Sequence, residues 1–269
     1  MLSHQQILHF AAFGYVTLRG LLTAEETATL RDEVSGALAD AFGPRGRPPD
    51  DLGGISGDYL PLAATRAPLS LALIADDRRT FLSSAELLGS PTVPLVGIAT
   101  RLTGDSGWHT RQGQSVAGVT FWADLEPRTA ATGALRLIPG SHLPDFHRQL
   151  CGYQAAEPAA SGFEDWELPH VVIDTEPGDV VAFHAHLMNC ARGGAPRLTW
   201  TIDYLPWPGL GSAERMAAVR DMALDGVEFD HEDYDRDRWP VWRDWVADAG
   251  HIPSRLIAVE RLRLLGVLI

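Results

Sequence analysis

Over residues 3–13 the apolar positions Ile7, Phe10 and Phe13 recur at helical spacing, which predicts a short amphipathic helix. Ser3 with Gln6 has the form of a capping box, and Gly14 offers a left-handed stop. YVTLRG at 15–20 predicts a strand. Thr23 with Glu26 repeats the capping box and predicts a second helix over about 24–41, with Leu30, Val34 and Leu38 on its buried face. GPRGRPPDDLGGISGD at 43–58 breaks the pattern with Gly, Pro and Asp. It predicts a long loop, of the kind that forms lids or binding loops or runs free on a surface. Helix returns between 66 and 89.

From residue 92 the period shortens. VPLVGIATRL, SVAGVTFWADL, GALRLI, HVVID, DVVAFHAHL and RLTWTIDYL are β-rich runs separated by turn signals, among them PGSH at 139–142 and EPGD at 176–179. Several short strands at this spacing predict a sandwich or barrel. After residue 211 the texture is helical again, ending in SRLIAVERLRLLGVLI. The expected fold is α+β with a mainly β core. One domain is expected over 1–269: an N-terminal helical part (1–90), a jelly-roll core (91–206) and C-terminal helices (211–269).

Composition narrows the function. The chain has 269 residues, 45% hydrophobic and 21% charged, with a formal net charge of -13. That balance argues against nucleic acid and gives no pull toward an anionic membrane surface. A negatively charged substrate needs a local positive pocket. The two cysteines, Cys151 and Cys190, form no CxxC pair and no zinc spacing, and they suit a reducing cytosol. The N-terminus lacks the pattern of a signal peptide, and no run approaches the length of a membrane span, so a cytoplasmic protein is expected. Residues 225–238 are densely acidic but lack the glycine and glutamate positions of a calcium loop. They read as a solvated surface.

Four stretches carry a resemblance: FGYVTLRGLLTAEETATLRDEV, WHTRQGQ, GALRLIPGSH with FWADLEP before it, and EPGDVVAFHAHLMNCARGGAPRLTWTIDY. Together they resemble the phytanoyl-CoA dioxygenase family of Fe(II)/2-oxoglutarate oxygenases over residues 8 to 205, and the C-terminal helices look similar to those of bacterial members. The resemblance implies a double-stranded β-helix, a cupin-like jelly roll, with iron in its mouth on a His-x-Asp pair and a distant His. His109 matches the first histidine. Arg111 stands where the family has Asp, and Asn189 stands at the distal histidine. Arg197 matches the arginine that clamps the far carboxylate of 2-oxoglutarate, and Trp122 matches an aromatic of that pocket.

An Arg offers no lone pair and repels a divalent cation. At about 4 Å and an effective dielectric of about 20, one unit charge pair is worth roughly 4 kcal/mol, so the exchange turns attraction into repulsion of similar size. An amide oxygen is a poorer ligand for iron than imidazole. No tightly bound iron is therefore expected at His109, although His184, His186 and Asp105 stand close enough in sequence to be candidates for a relocated site. His142 reads as a turn residue, and Asp203 and Tyr204 as packing. Phe146, Tyr153, Phe163 and Trp166, with the 43–58 loop and the C-terminal helices, are candidates for substrate contact. The substrate is expected to be a small molecule, carboxylate-bearing and partly apolar.

Three functions stay open on the sequence. The first is an enzyme of bacterial natural-product biosynthesis on this fold that works without iron. It would run a redox-neutral cyclisation, isomerisation, dehydration or addition, with His109 as acid/base, Arg111 and Asn189 on the developing charge and Arg197 on a carboxylate. The second is a true oxygenase using Fe(II) and 2-oxoglutarate with unusual ligands. The third is a non-catalytic partner of an active relative.

Overall fold

The computed structural model describes residues 1–44, 56–62, 67–110, 116–155, 168–227, 243–247 and 249–268. Arg111, Phe163, Trp166, most of the 43–58 loop and nearly all of the acidic stretch at 225–238 lie outside them.

Helix α1 (His4–Phe13) and helix α2 (Ala24–Phe42) each begin on a complete reciprocal capping box, Ser3 with Gln6 and Thr23 with Glu26. Gly14 ends α1 in the left-handed conformation, at φ 81°. Leu30, Val34 and Leu38 of α2 are fully buried, as their spacing predicts. Phe13 departs from the expected stripe and is 45% exposed, because Phe10 alone of α1 reaches the core. Strand β1 (Tyr15–Leu18) follows. The helix expected between 66 and 89 is two helices, α3 (Pro68–Ala75) and α4 (Arg78–Leu88), broken where Asp77 caps α4.

The remaining strands are β2 (Ser56–Pro61), β3 (Thr92–Pro94), β4 (Ile98–Thr103), β5 (Val119–Asp124), β6 (Leu135–Leu137), β7 (Val171–Ile173), β8 (Val180–His184), β9 (Asn189–Ala191) and β10 (Arg197–Pro206), with helix α5 (Pro144–Ala155) between β6 and β7. They form a larger antiparallel sheet in the order β1-β8-β5-β10-β4-β2, with β3 also on β10, and a smaller sheet ordered β7-β6-β9. Helices α6 (Ala213–Val227), α7 (Arg243–Ala247) and α8 (Pro253–Leu264) complete the chain. This is a jelly roll covered by helices.

Strand β2 begins inside the segment read as loop. SGDYLP has little β-propensity, and it sits at the sheet edge, where its Pro61 is tolerated. What fixes it is not local. Asp58 lies opposite Arg101 of β4 and accepts from its Nε at 2.9 Å and Nη2 at 2.6 Å, while Nη2 also reaches the Gly43 carbonyl.

Strand periodicity then separates two environments. Val119, Phe121 and Ala123 of β5, Val180 and Ala182 of β8, and Trp200, Ile202 and Tyr204 of β10 join the main apolar core with the helices. The alternate positions face inward, toward the smaller sheet. Val181 and Phe183 meet Leu135, Leu137 and Ile173 there. On β10 the inward set is Arg197, Thr199, Thr201 and Asp203, all buried. A polar interior row on a central strand is costly unless each group is partnered. Asp203 accepts from Thr120 Oγ1 at 2.5 Å, and Thr199 bonds Thr100. Tyr204, on the opposite face, donates to the Ile74 carbonyl at 2.8 Å. Arg197 is the exception developed below.

Candidate active site in the mouth of the barrel

Between the two sheets lies a cavity of about 460 Å³, a size suited to a small organic ligand. His109, Trp122, Asn189 and Arg197 all line it, so the structure brings four of the five sequence-derived site residues together. Arg111, the fifth, is outside the described residues.

His109 follows β4 and is exposed on the rim. Its Nδ1 lies 2.9 Å from the Gly107 carbonyl, which assigns the proton to Nδ1 and leaves the Nε2 lone pair open. The backbones of His109 and Asn189 exchange two hydrogen bonds, at 3.0 and 2.9 Å. Asn189 is buried, and its Nδ2 donates to the carbonyls of His109 at 3.0 Å and Leu187 at 3.1 Å. The opposite amide orientation would set its oxygen against two carbonyls, so this one is fixed. Both amide protons are therefore engaged. This corrects the expectation that Asn189 donates to a developing charge: it holds the His109 backbone in place and offers the cavity only an acceptor oxygen.

Arg197 opens β10 with 1% of its surface exposed. Nη2 donates to the Gly104 carbonyl at 2.8 Å, whereas Nε and Nη1 are buried and have no partner among the described residues. Burial, with Arg128 nearby, lowers its pKa from the usual guanidinium value. The adjacent carboxylates are otherwise engaged. Asp124 accepts from Trp122 Nε1 at 3.0 Å and Thr175 Oγ1 at 2.9 Å, and burial raises its pKa. Asp105 accepts from Gly193 and Gly194. A buried guanidinium without an ion pair among the described residues, beside a cavity, has the chemistry to receive an anion.

Sequence reading missed the hydroxyls of Tyr59, Thr100, Ser106 and Thr201, which share the cavity wall. The alternation of Thr with Trp and Ile along RLTWTIDYL was the available signal for Thr201. Nothing local marked Tyr59. Some expected contacts fall elsewhere: among the described residues the C-terminal helices supply none of the lining, and Phe146 is exposed on α5. The side chain of Tyr153 is not among those described.

His184 and His186 also lie off the cavity. Strand β8 ends at His184, so strand alternation does not relate the two, yet their rings sit 5.3 Å apart between centroids. His142 stacks on His184 at 5.1 Å, and His147 on His186 at 5.7 Å. His142 Nε2 bonds the Ala11 carbonyl, tying the PGSH turn to α1. Among the described residues no three His, Cys, Asp or Glu side chains are grouped to hold a metal ion.

The cluster has a consequence for stability. Burial, reinforced by the neighbouring His142, His186 and His147, holds the His184 pKa down to about 3. A histidine whose folded pKa is depressed contributes its full stability above its unfolded pKa of about 6.5 and loses it as pH falls toward the folded value. Urea unfolding is expected to show a loss on the order of 2 kcal/mol between pH 7 and pH 5, and His184→Gln to flatten most of that slope.

A jelly roll with an arginine-lined mouth is the frame of the 2-oxoglutarate oxygenase class. The profile of the phytanoyl-CoA dioxygenase (PhyH) family matches residues 10–193, and the chain belongs to that family of enzymes. Solved structures with the same fold include the non-heme alpha ketoglutarate dependent epimerase SnoN from nogalamycin biosynthesis. It is 20% identical, with 77% of this chain and 90% of that chain covered at a TM-score of 0.58. HygX from Streptomyces hygroscopicus, with nickel and 2-oxoglutarate bound, is 19% identical over 77% of this chain and 88% of its own, also at 0.58. The carbocyclase SnoK from nogalamycin biosynthesis is 19% identical over 80% and 90%, at 0.58. No curated relative matches the chain by sequence. Among the described residues, no helix is long and apolar enough to cross a membrane.

Proposed function

We propose that this enzyme acts in bacterial small-molecule biosynthesis and carries out a metal-independent, redox-neutral reaction on a small carboxylic acid. The observation that carries the reading is the donor set of the cavity. Among the described residues the wall offers one imidazole, one amide oxygen, a guanidinium without an ion pair, the Cys190 thiol and the hydroxyl residues Tyr59, Thr100, Ser106 and Thr201, with no carboxylate and no second imidazole. That set is a poor match to ferrous iron, which in this fold takes two imidazoles and a carboxylate. It is a good match to an anion and a proton. The Arg197 guanidinium, which lines the cavity, anchors the substrate carboxylate. His109 Nε2, with Nδ1 held by the Gly107 carbonyl, takes a proton from the substrate and returns it at another atom. Trp122, Leu135 and Phe183 supply the apolar wall against the substrate body.

The reaction class is cyclisation, isomerisation, dehydration or addition. Turnover of a candidate acid is expected to continue in EDTA, and His109→Gln is expected to lower it by a factor of about 10² or more. Activity that vanishes with EDTA, returns with Fe(II) and yields succinate would overturn the proposal. That outcome belongs to the second reading, an Fe(II)/2-oxoglutarate oxygenase with unusual ligands. Arg197 favours it, because a guanidinium in that place also fits the far carboxylate of 2-oxoglutarate.

A further inference from the structure

Three glycine-bearing loops close behind the Arg197 guanidinium. Gly104 supplies the carbonyl that accepts from Nη2. Gly133, at φ 92°, lies so near that a Cβ there would sit 2.8 Å from Nη1. Gly193, at φ 135°, packs on Gly133, and a Cβ there would meet the Gly133 nitrogen at 2.4 Å. One side chain joins the first loop to the third. Asp105 Oδ1 accepts the backbone N–H groups of Gly193 and Gly194, each at 2.8 Å. Successive N–H groups in such a turn form a small anion-binding concavity, and Asp105 fills it. Ser106 extends the seam: its N–H donates to the Ala191 carbonyl, and its Oγ accepts from Ala191 N, both at 2.9 Å. Asp105 itself is exposed and does not line the cavity.

We propose that Asp105 is a positioning residue for the carboxylate pocket. By clamping the 193–194 turn onto the 104–106 segment, it keeps the Gly104 carbonyl and Gly133 against Arg197. The guanidinium then has one orientation, with Nη2 on the Gly104 carbonyl and Nη1 against Gly133. An arginine side chain has several free torsions, and holding it before the ligand arrives lowers the ordering cost of binding. The inference rests on the reading of Arg197 as a carboxylate anchor. It assigns the effect of Asp105 to its acceptor oxygen, since its negative charge opposes an incoming anion.

Isothermal titration with 2-oxoglutarate and with succinate, both in EDTA, tests this on wild type, Asp105→Ala and Asp105→Asn. Asn keeps an oxygen that accepts both N–H groups and lacks the charge. Asp105→Ala is expected to bind roughly tenfold more weakly, and Asp105→Asn within about twofold of wild type or more tightly. Wild-type affinity in Asp105→Ala would overturn the assignment, and so would a tenfold loss in Asp105→Asn. If Asp105→Ala does not fold, Asp105→Asn decides alone on the same criterion. Failure of the wild type to bind either acid overturns the Arg197 reading beneath it, a result distinct from failure of the Asp105 clamp.

Discussion

Arg197→Met is expected to lose carboxylate binding while making the unliganded protein more stable. Among the described residues the fully buried side chain carries no ion pair and leaves Nε and Nη1 unmatched. Each unmatched buried donor costs about 1–3 kcal/mol, against about 1 kcal/mol for the bond from Nη2 to the Gly104 carbonyl. Met has similar length and no polar group to desolvate. A gain of roughly 1–3 kcal/mol follows, or a rise in Tm of about 2–6 °C for a chain of this size. Affinity for 2-oxoglutarate or succinate is expected to fall by a factor of about 100 or more, because the guanidinium charge leaves the site. Arg197→Lys keeps the charge without the fork and should fall between. Scanning calorimetry without carboxylate buffers, paired with titration, reads both signs. A destabilised variant that still binds would show that Arg197 is a structural group already satisfied by the fold.

The opposite signs define what kind of residue this is. A side chain chosen for stability would be paired, as Arg101 is with Asp58 and Arg255 with Asp76. Arg197 sits among carboxylates that are committed elsewhere, Asp105 to a turn and Asp124 to Trp122 and Thr175. The fold thus holds a positive group in reserve inside a protein of net charge -13. An anionic substrate meets attraction at that buried guanidinium, in a protein whose net charge repels it.

How much of this was legible depended on range. The capping boxes of α1 and α2 use residues three apart, and the sequence displays them whole. The strands of the core announced themselves by β-rich runs between turns. Through the family resemblance the motifs group His109, Trp122, Asn189 and Arg197, and all four line one cavity. Features set by distant partners were not legible. Strand β2 exists through Asp58 and Arg101, 43 residues apart. The clamp on the Arg197 loops joins Asp105 to a turn 88 residues on. The role of Asn189 turned on which carbonyls its amide meets, and only its fold neighbours decide that.

Placing at 111 and 189 the carboxylate and imidazole that the family resemblance implies is expected to create a metal site. Asn189→His replaces an engaged amide with an imidazole at the start of β9, and Arg111→Asp exchanges a repelling cation for a carboxylate two residues from His109. The charge change alone is worth several kcal/mol at an effective dielectric of about 20, since roughly 4 kcal/mol of repulsion becomes a similar attraction. The double variant is expected to bind Co(II) or Fe(II) at least about 10³-fold more tightly than wild type, with each single change falling well short because neither completes the triad. Asn189→His also removes the two side-chain amide bonds, one to the His109 carbonyl and one to the Leu187 carbonyl, at about 1 kcal/mol each, so a modest loss of stability in the metal-free form accompanies it. Titration followed by the visible spectrum of Co(II) measures the gain. Tight binding in the wild type, at the level of the double variant, would mean that ligands other than these two complete the site, and the metal-independent reading would fall. Affinity that rises only when both residues are exchanged would assign weak metal binding in the wild type to Arg111 and Asn189 together.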